Sequence, residues 1–209
     1  MLLLAFRDTL RNNLLEFTRI AFRILPAIEK PSILDIGCGT GVQTIELAKI
    51  SNGKITAIDI DKESLQILKK KVREYGLSDR VSVIELSMFE LDRLCETFDI
   101  IWAEGSIFVV GFENGIRDWK QLLVANGFLV IHDQDNDVSK KLRLISKYGY
   151  RKIGQFEISH DEWWKRYYEP LEELLEHGEL DVLDVNALRT EIGRFQKTGM
   201  GSIFFIMQA

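Results

Sequence analysis

Along residues 2–25 the apolar positions Leu3, Phe6, Leu10, Leu14, Phe17 and Phe22 recur at mostly three- and four-residue steps, with arginines between them. That is the period of an amphipathic helix. Pro26 stops it and Pro31 follows, since proline cannot continue a helix. Short apolar runs then take over. "SILDIG", "KITAIDI", "RVSVIEL", "FDIIWA" and "GFLVIHD" read as buried strands. The helical patterns "VQTIELAKI", "KESLQILKKKVREYG" and "NGIRDWKQLLVANG" stand among them. "KLRLISKYGY" and "RKIGQFEIS" repeat the helix–strand unit, and "GSIFFIMQA" suits a last strand. Strands alternating with helices predict an α/β domain whose parallel sheet carries helices on both faces. Residues 160–178, "HDEWWKRYYEPLEELLEHG", break the alternation. They predict an inserted helical hairpin with Pro170 at its corner.

The first strand runs into "LDIGCGTG", with glycines at 37, 39 and 41 and Asp35 just before them. Glycine admits positive φ and lets a ligand approach the bare backbone. The helix beginning near Gly41 points free N–H groups the same way. In an open parallel sheet this turn lies at the ligand-binding crevice. Asp59 ends the second strand, 22 residues beyond Gly37, about the separation at which a carboxylate takes both hydroxyls of a ribose. The pattern therefore predicts a nucleoside. A dinucleotide fits less well: its fingerprint needs a glycine three residues after Gly39, where Val42 stands, and Asp35 would repel a pyrophosphate. A ligand carrying an ammonium and a sulfonium would be attracted instead.

Composition narrows this further. The 209 residues suit one domain, and a net charge of −5 gives no field for nucleic acid or an anionic membrane. Two cysteines, Cys38 and Cys95, supply no disulfide framework or zinc spacing, so a reducing cytoplasm is the expected compartment. The opening "MLLLAF" is interrupted by Arg7, Asp8 and Arg11 before a secretory core is complete, and no apolar run reaches a membrane span.

"LDIGCGTG" and "AIDID" together resemble the first two motifs of class I S-adenosylmethionine-dependent methyltransferases. "VANGFLVI" is similar to the glycine turn before that family's fifth strand, and "AEGSIFVVGFENGIRDW" with "WWKRYYEPLEELL" resembles a small-molecule subgroup whose substrates are uncharacterised. The resemblance implies a Rossmann-like, seven-stranded, mostly parallel sheet with a last antiparallel strand. It implies a cofactor domain over residues 31–209, carrying the 160–178 insert and preceded by the helix of residues 1–30. Carried over by position, Asp35, Gly37, Cys38, Gly39 and Gly41 hold the methionine end. Asp59 takes the ribose, Ile60 packs on the adenine, and Ser87 with Met88 meets the adenine edge. Ser87 stands where the family often has Asp, which puts one bond to the adenine amine in doubt. The expected cofactor is S-adenosylmethionine, leaving as S-adenosylhomocysteine, and the expected partner is a small-molecule acceptor. The "AEGS" after strand four lacks the N/D-P-P-Y/F motif common in nucleic-acid methyltransferases.

Methyl transfer is an in-line displacement, and a base is needed only when the nucleophile arrives protonated. Glu104 and His132, at the carboxyl edge of the sheet, are the catalytic candidates, and Glu104 counts among the cofactor-binding residues as well, facing either the cofactor or the substrate. His132 reads equally as a base of near-neutral pKa or as packing. Glu104, Asp133 and Gln134 together match the positions at which catechol-type O-methyltransferases hold magnesium, an alternative weighed against a solvated turn. Trp163, Trp164, Tyr167 and Tyr168 form two i, i+4 pairs, hence one aromatic helix face. It reads as a substrate-pocket wall or as plain packing. His160 reads as part of that pocket or of a surface turn. The N-terminal helix reads as a cover for the cofactor site or as a homodimer face. A protein that binds the cofactor without transferring a methyl remains the alternative function, and it would lack an enclosed acceptor pocket beside the methyl group.

Overall fold

The computed structural model describes residues 2–177 and 182–209. Two helices open the chain, α1 (Leu2–Asn12) and α2 (Leu15–Ile24), where the periodicity predicts one. The break falls at Asn12-Asn13, residues that favour turns over helix interiors. Its carbonyls at Leu10 and Arg11 accept three-residue turn bonds from Asn13 and Leu14. There follow β1 (Ser32–Ile36), α3 (Val42–Ser51), β2 (Lys54–Asp59), α4 (Lys62–Glu74), β3 (Val81–Glu85), β4 (Phe98–Glu104), α5 (Phe112–Asp118), β5 (Leu123–Gln134), α6 (Val138–Lys147) and β6 (Arg151–Ile158). The insert supplies α7 (His160–Trp163), a π-helical turn at Trp164–Tyr168, and α8 (Glu169–His177). Then come α9 (Val182–Thr198) and β7 (Ser202–Gln208). Met1 and Gly178, the outer ends of the predicted N-terminal helix and insert, lie outside the described residues.

The strands form one sheet in the order β3-β2-β1-β4-β5-β7-β6. β1 to β5 pair in parallel, while β7 runs antiparallel to both β5 and β6. This is the expected Rossmann-like α/β architecture. The order reverses between β1 and β4, where such sheets open a crevice at their carboxyl ends. Residue alternation assigns the two faces. Ile33, Trp102, Val130 and Phe204 pack under α1–α4, α8 and α9, and Leu34, Ile101, Leu129 and Phe205 pack against Ile116 of α5 and Ile145 of α6. Asp35, Glu104, His132 and Ser202 fall on the first face.

Two local readings need correction. The helix predicted over residues 114–127 ends at Asp118, continues as a 3₁₀ turn to Leu122, and gives way to β5 at Leu123. "VANG" is strand with a register slip opposite Phe98–Ile100. A Cβ on Gly127 would come within 3.2 Å of the Asp99 carbonyl, so the glycine serves close strand approach. Pro170 is not a corner either. It sits inside the continuous helical run from His160 to His177. Its missing N–H frees the Arg166 carbonyl four residues back, and the Asn13 side-chain amide donates to that carbonyl at 3.1 Å. Arg166 Nη1 returns a bond to the Asn13 carbonyl at 3.0 Å. The proline thus ties the α1–α2 corner to the insert.

Candidate functional site

Gly37, Gly39 and Gly41 all have positive φ (75°, 51° and 79°), a region that glycine enters without a steric penalty. A Cβ on Gly37 would lie 2.5 Å from Ser106 Cβ, and one on Gly41 2.1 Å from Leu68 Cδ1. Gly39 faces open space. The turn is pinned from below: Gly37 and Cys38 both donate to the Ile58 carbonyl. From the side, Gly39 N–H donates to Asp59 Oδ2 at 2.8 Å. Asp59 Oδ1 accepts from Ile60 and Asp61 at 2.7 and 3.0 Å. The carboxylate at the end of β2 therefore shapes the turn while standing at its mouth.

Two cavities meet there, sharing Gly37 and Gly105. The smaller, about 240 Å³, is walled by Asp59, Ile60, Ser87, Met88, Phe89 and Val109, among others. Ile60, Phe89 and Val109 are unusually exposed for their type, at 68%, 70% and 51%, and Phe108 next to them at 71%. Apolar surface gathered at one rim marks a place that a ligand covers. The larger cavity, about 630 Å³, runs from the glycine turn and Glu104 out to α1, the insert and α9. Trp163, Tyr167 and Tyr168 line it, as do Phe17, Phe195 and Phe204, which the sequence reading did not single out. Trp164 is not on its wall and packs half-buried against the core. His160 stacks on Phe195 with ring centres 4.4 Å apart.

The polar groups around the larger cavity are held firmly. Asp35 is buried beneath the turn, on the wall of neither cavity, and accepts from the Thr44 hydroxyl at 2.6 Å. Burial pushes its carboxyl up to about 6; Thr44 opposes this and Asp59 adds to it. Glu104 does line the cavity. Its Oε1 accepts from Trp102 Nε1 at 2.7 Å and from the Thr18 hydroxyl of α2 at 2.9 Å. Burial pushes this carboxyl up to about 7, against the bonds from Trp102, Thr18 and Gln43. Cys38 is buried, and burial followed by Asp35 and Asp59 raises its thiol pKa strongly. A thiol held protonated is a filler, not a nucleophile.

His132 departs from the near-neutral base considered from sequence. It is 8% exposed, and burial lowers its pKa to about 3, so the ring is neutral at physiological pH. Of the three residues considered for magnesium, Asp133 is ion-paired with Lys141 at 2.8 Å. The Gln134 backbone carbonyl accepts from the same lysine. Lys141 thus brings a positive charge to the place where the cation would sit. Among the described residues no cluster of three or more His, Cys, Asp or Glu side chains is arranged to hold a metal.

The N-terminal helices close the cavity through specific ties. Asp8 accepts from the Thr40 hydroxyl of the glycine turn and pairs with Lys71 of α4 at 2.7 Å. Arg7 pairs with Glu191 of α9 and donates to the Tyr167 hydroxyl at 3.1 Å. Arg7 and Arg11, one helical turn apart, both line the cavity. That spacing was visible in the sequence as an arginine pair on one face; Thr18, Ser202 and Phe204 left no such signal.

Residues 33–127 match a family model described as a methyltransferase domain. A methyltransferase from Streptomyces halstedii, GfsG, is 30% identical over 102 residues, covering 48% of this chain and 37% of that protein. An uncharacterised Synechococcus protein is 39% identical over 77 residues, covering 36% of this chain and 18% of its own. The matched stretch is thus well under half the length of these relatives. Among solved structures, the S-adenosylmethionine-dependent methyltransferase from Thiobacillus denitrificans, in complex with S-adenosylhomocysteine, superposes with a TM-score of 0.72 at 16% identity. It covers 93% of this chain and 91% of its own. The [4+2]-cyclase SpnF superposes at 0.73 and 18% identity, covering 92% and 79%. Residues 33–127 thus match a methyltransferase domain, and the likeness to these solved structures shows a shared fold. No helix among the described residues is long and apolar enough to cross a membrane.

Proposed function

We propose that the chain is a methyltransferase that binds S-adenosylmethionine across the two cavities and moves its methyl group to a small planar acceptor in the larger one. The observation that carries this reading is the junction at Gly37 and Gly105, where a nucleoside-sized cavity opens into a larger one lined with aromatic side chains. A protein that merely held the cofactor would have no need of the second space. The fit to the cofactor rests on the bare backbone at Gly37, which lines both cavities, and at Gly39, which faces open space, and on acids that pair with no cation among the described residues. Asp59 would take the ribose, the Ile60, Met88 and Phe89 side chains the adenine, and Ser87 one adenine edge. Asp35, beneath the turn, and Glu104 would favour the ammonium and sulfonium charges.

When bound, S-adenosylmethionine supplies an electrophilic methyl group on sulfur. This chain's residues do the rest. The aromatic walls hold the acceptor and exclude water, and positioning of this kind accounts for much of the rate in such reactions. Glu104 stands at the junction with a carboxyl poised near neutrality, suited to take a proton from a hydroxyl or N–H nucleophile. His132, whose basicity burial lowers, is the weaker base of the two. An acceptor of this size and character is a small molecule. Calorimetric titration of S-adenosylmethionine and of NADH, separately, tests the reading. Micromolar binding of the first alone supports it, and binding of NADH alone would end it. Activity abolished by chelation and restored by magnesium would revive the metal alternative.

A further inference from the structure

His132 stands in a column of rings. Phe204 stacks on one face at 4.3 Å between centres and 7° between planes, and Trp163 covers the other at 5.9 Å and 3°. Phe156 extends the column beyond Phe204 at 4.9 Å. Two hydrogen bonds run beside it. Trp163 Nε1 lies 2.7 Å from the Ser202 hydroxyl, and that hydroxyl lies 2.7 Å from His132 Nε2. An indole N–H can only donate, so Ser202 accepts from Trp163. The hydroxyl hydrogen then needs an acceptor, and His132 Nε2 is the one within reach. All three groups are satisfied when the neutral imidazole carries its proton on Nδ1.

That second nitrogen has no protein partner among the described residues, and it is not among the sealed, unpartnered atoms. His132 belongs to the wall of the larger cavity. His132 is also the register partner of Glu104 on the neighbouring strand. The two side chains project from the same face of adjacent strands, about 5 Å apart at the backbone.

We propose that Trp163 and Ser202 are positioning residues that lock His132 as a hydrogen-bond donor through Nδ1–H. The ligand this selects is an aromatic hydroxyl compound with a carbonyl oxygen next to the hydroxyl. The hydroxyl meets Glu104, which takes its proton as the oxygen gains the methyl group; the carbonyl oxygen accepts from His132. A donor beside the leaving proton also steadies the phenolate that forms, since preorganised donors act where charge develops. The aromatic side chains of Trp163, Tyr167 and Tyr168 on the wall suit a ring. The identity of the ligand rests on the methyl-transfer reading above; the hydrogen-bond lock does not.

The lock is read directly by long-range ¹⁵N–¹H NMR of the histidines in the full chain at pH 7. The expected spectrum shows His132 with a protonated Nδ1 and a bare Nε2. Ser202→Ala should turn this into a tautomer mixture, and Trp163→Phe, which keeps the stacked ring, should weaken it. Those shifts would not follow from a purely structural role. A protonated Nε2 or a doubly protonated ring in the wild-type spectrum would overturn the lock. The ligand class is tested with 2-hydroxyacetophenone against 2-ethylphenol, which lacks the carbonyl, in protein saturated with S-adenosylhomocysteine. The first should bind at least fivefold more tightly, and His132→Phe should erase the difference. Equal affinity in the wild type, or no binding of either probe, overturns the class. If S-adenosylhomocysteine itself fails to bind, it is the functional reading that falls, while the NMR result stands on its own.

Discussion

The smaller cavity takes its walls from residues 37–109, and most of them lie on turns that follow β1, β2, β3 and β4 in succession. The larger is walled by residues scattered from Arg7 to Phe204. The first is therefore a property of the sheet's carboxyl edge: wherever such strands and glycines occur, that space occurs. The second exists because two segments outside the matched domain, the N-terminal helices and the run from β6 to β7, fold back over the same edge. The sheet edge supplies the first space, and the added segments shape the second.

If that division is right, substitutions on the two sides separate binding from turnover. The largest expected effect is at Glu104. Glu104→Gln keeps a side chain that can accept from Trp102 and Thr18 but cannot take a proton, and kcat on an accepted hydroxyl substrate should fall by roughly 10²-fold or more. Steady-state kinetics that leave kcat unchanged would remove it from the proton's path. Next is Asp59→Ala. It removes both the pin on Gly39 and the ribose partner, and should weaken S-adenosylmethionine binding by at least ~1.4 kcal/mol, a tenfold change, without touching the aromatic cavity. Calorimetry decides it, with unchanged affinity the adverse result.

Two buried acids make the next effect pH-dependent. Asp35 near 6 and Glu104 near 7 lie above the ordinary carboxylate range. The folded, free protein therefore holds protons that the unfolded chain has lost. The stability that these two groups contribute is complete below about pH 4 and is lost as pH rises through 6 to 7. A cationic ligand prefers the ionised acids, so its affinity should climb over the same window with release of protons. Melting curves from pH 4.5 to 8 should show the free protein losing Tm while the gap to the liganded protein widens. A constant gap would mean that neither carboxyl senses the cofactor. The smallest effect is at the cap. Asn13→Ala removes an exposed tie to the insert and should cost about 1 kcal/mol or less, read as a small drop in Tm with cofactor affinity unchanged. A tenfold loss of affinity would show that the cap shapes the cofactor side as well.

The same division explains what the sequence made legible. Gly37, Gly39, Gly41 and Asp59 announce themselves because each answers a local backbone demand, and their spacing follows from strand and turn lengths. Glu104 was found because a carboxylate ending an apolar strand is conspicuous. Ser202 and Phe204 meet His132 through an antiparallel pairing some 70 residues away in the chain, and no local pattern encodes that. His132 was read with its solution pKa, yet burial between Phe204 and Trp163 makes it a neutral group. Pro170 looked like a corner because proline usually ends a helix; here a turn of π-helix precedes it, and Asn13, distant in sequence, takes up the freed carbonyl.

The ties of the N-terminal helices are unequal, and that inequality sets how a ligand enters. Near the glycine turn, Asp8 is buried with Thr40 and Lys71, and separating them would strand charge away from water. At the far end, Asn13 and Arg166 meet at the surface, where water replaces their bonds at little cost. The Asn13 corner is therefore the end of the helices that parts at least cost, with Arg7, bound to Glu191 and Tyr167, as the remaining tie to α9 and the insert. On the proposed methyl-transfer reading, a ligand would enter and leave on that side, past the aromatic wall.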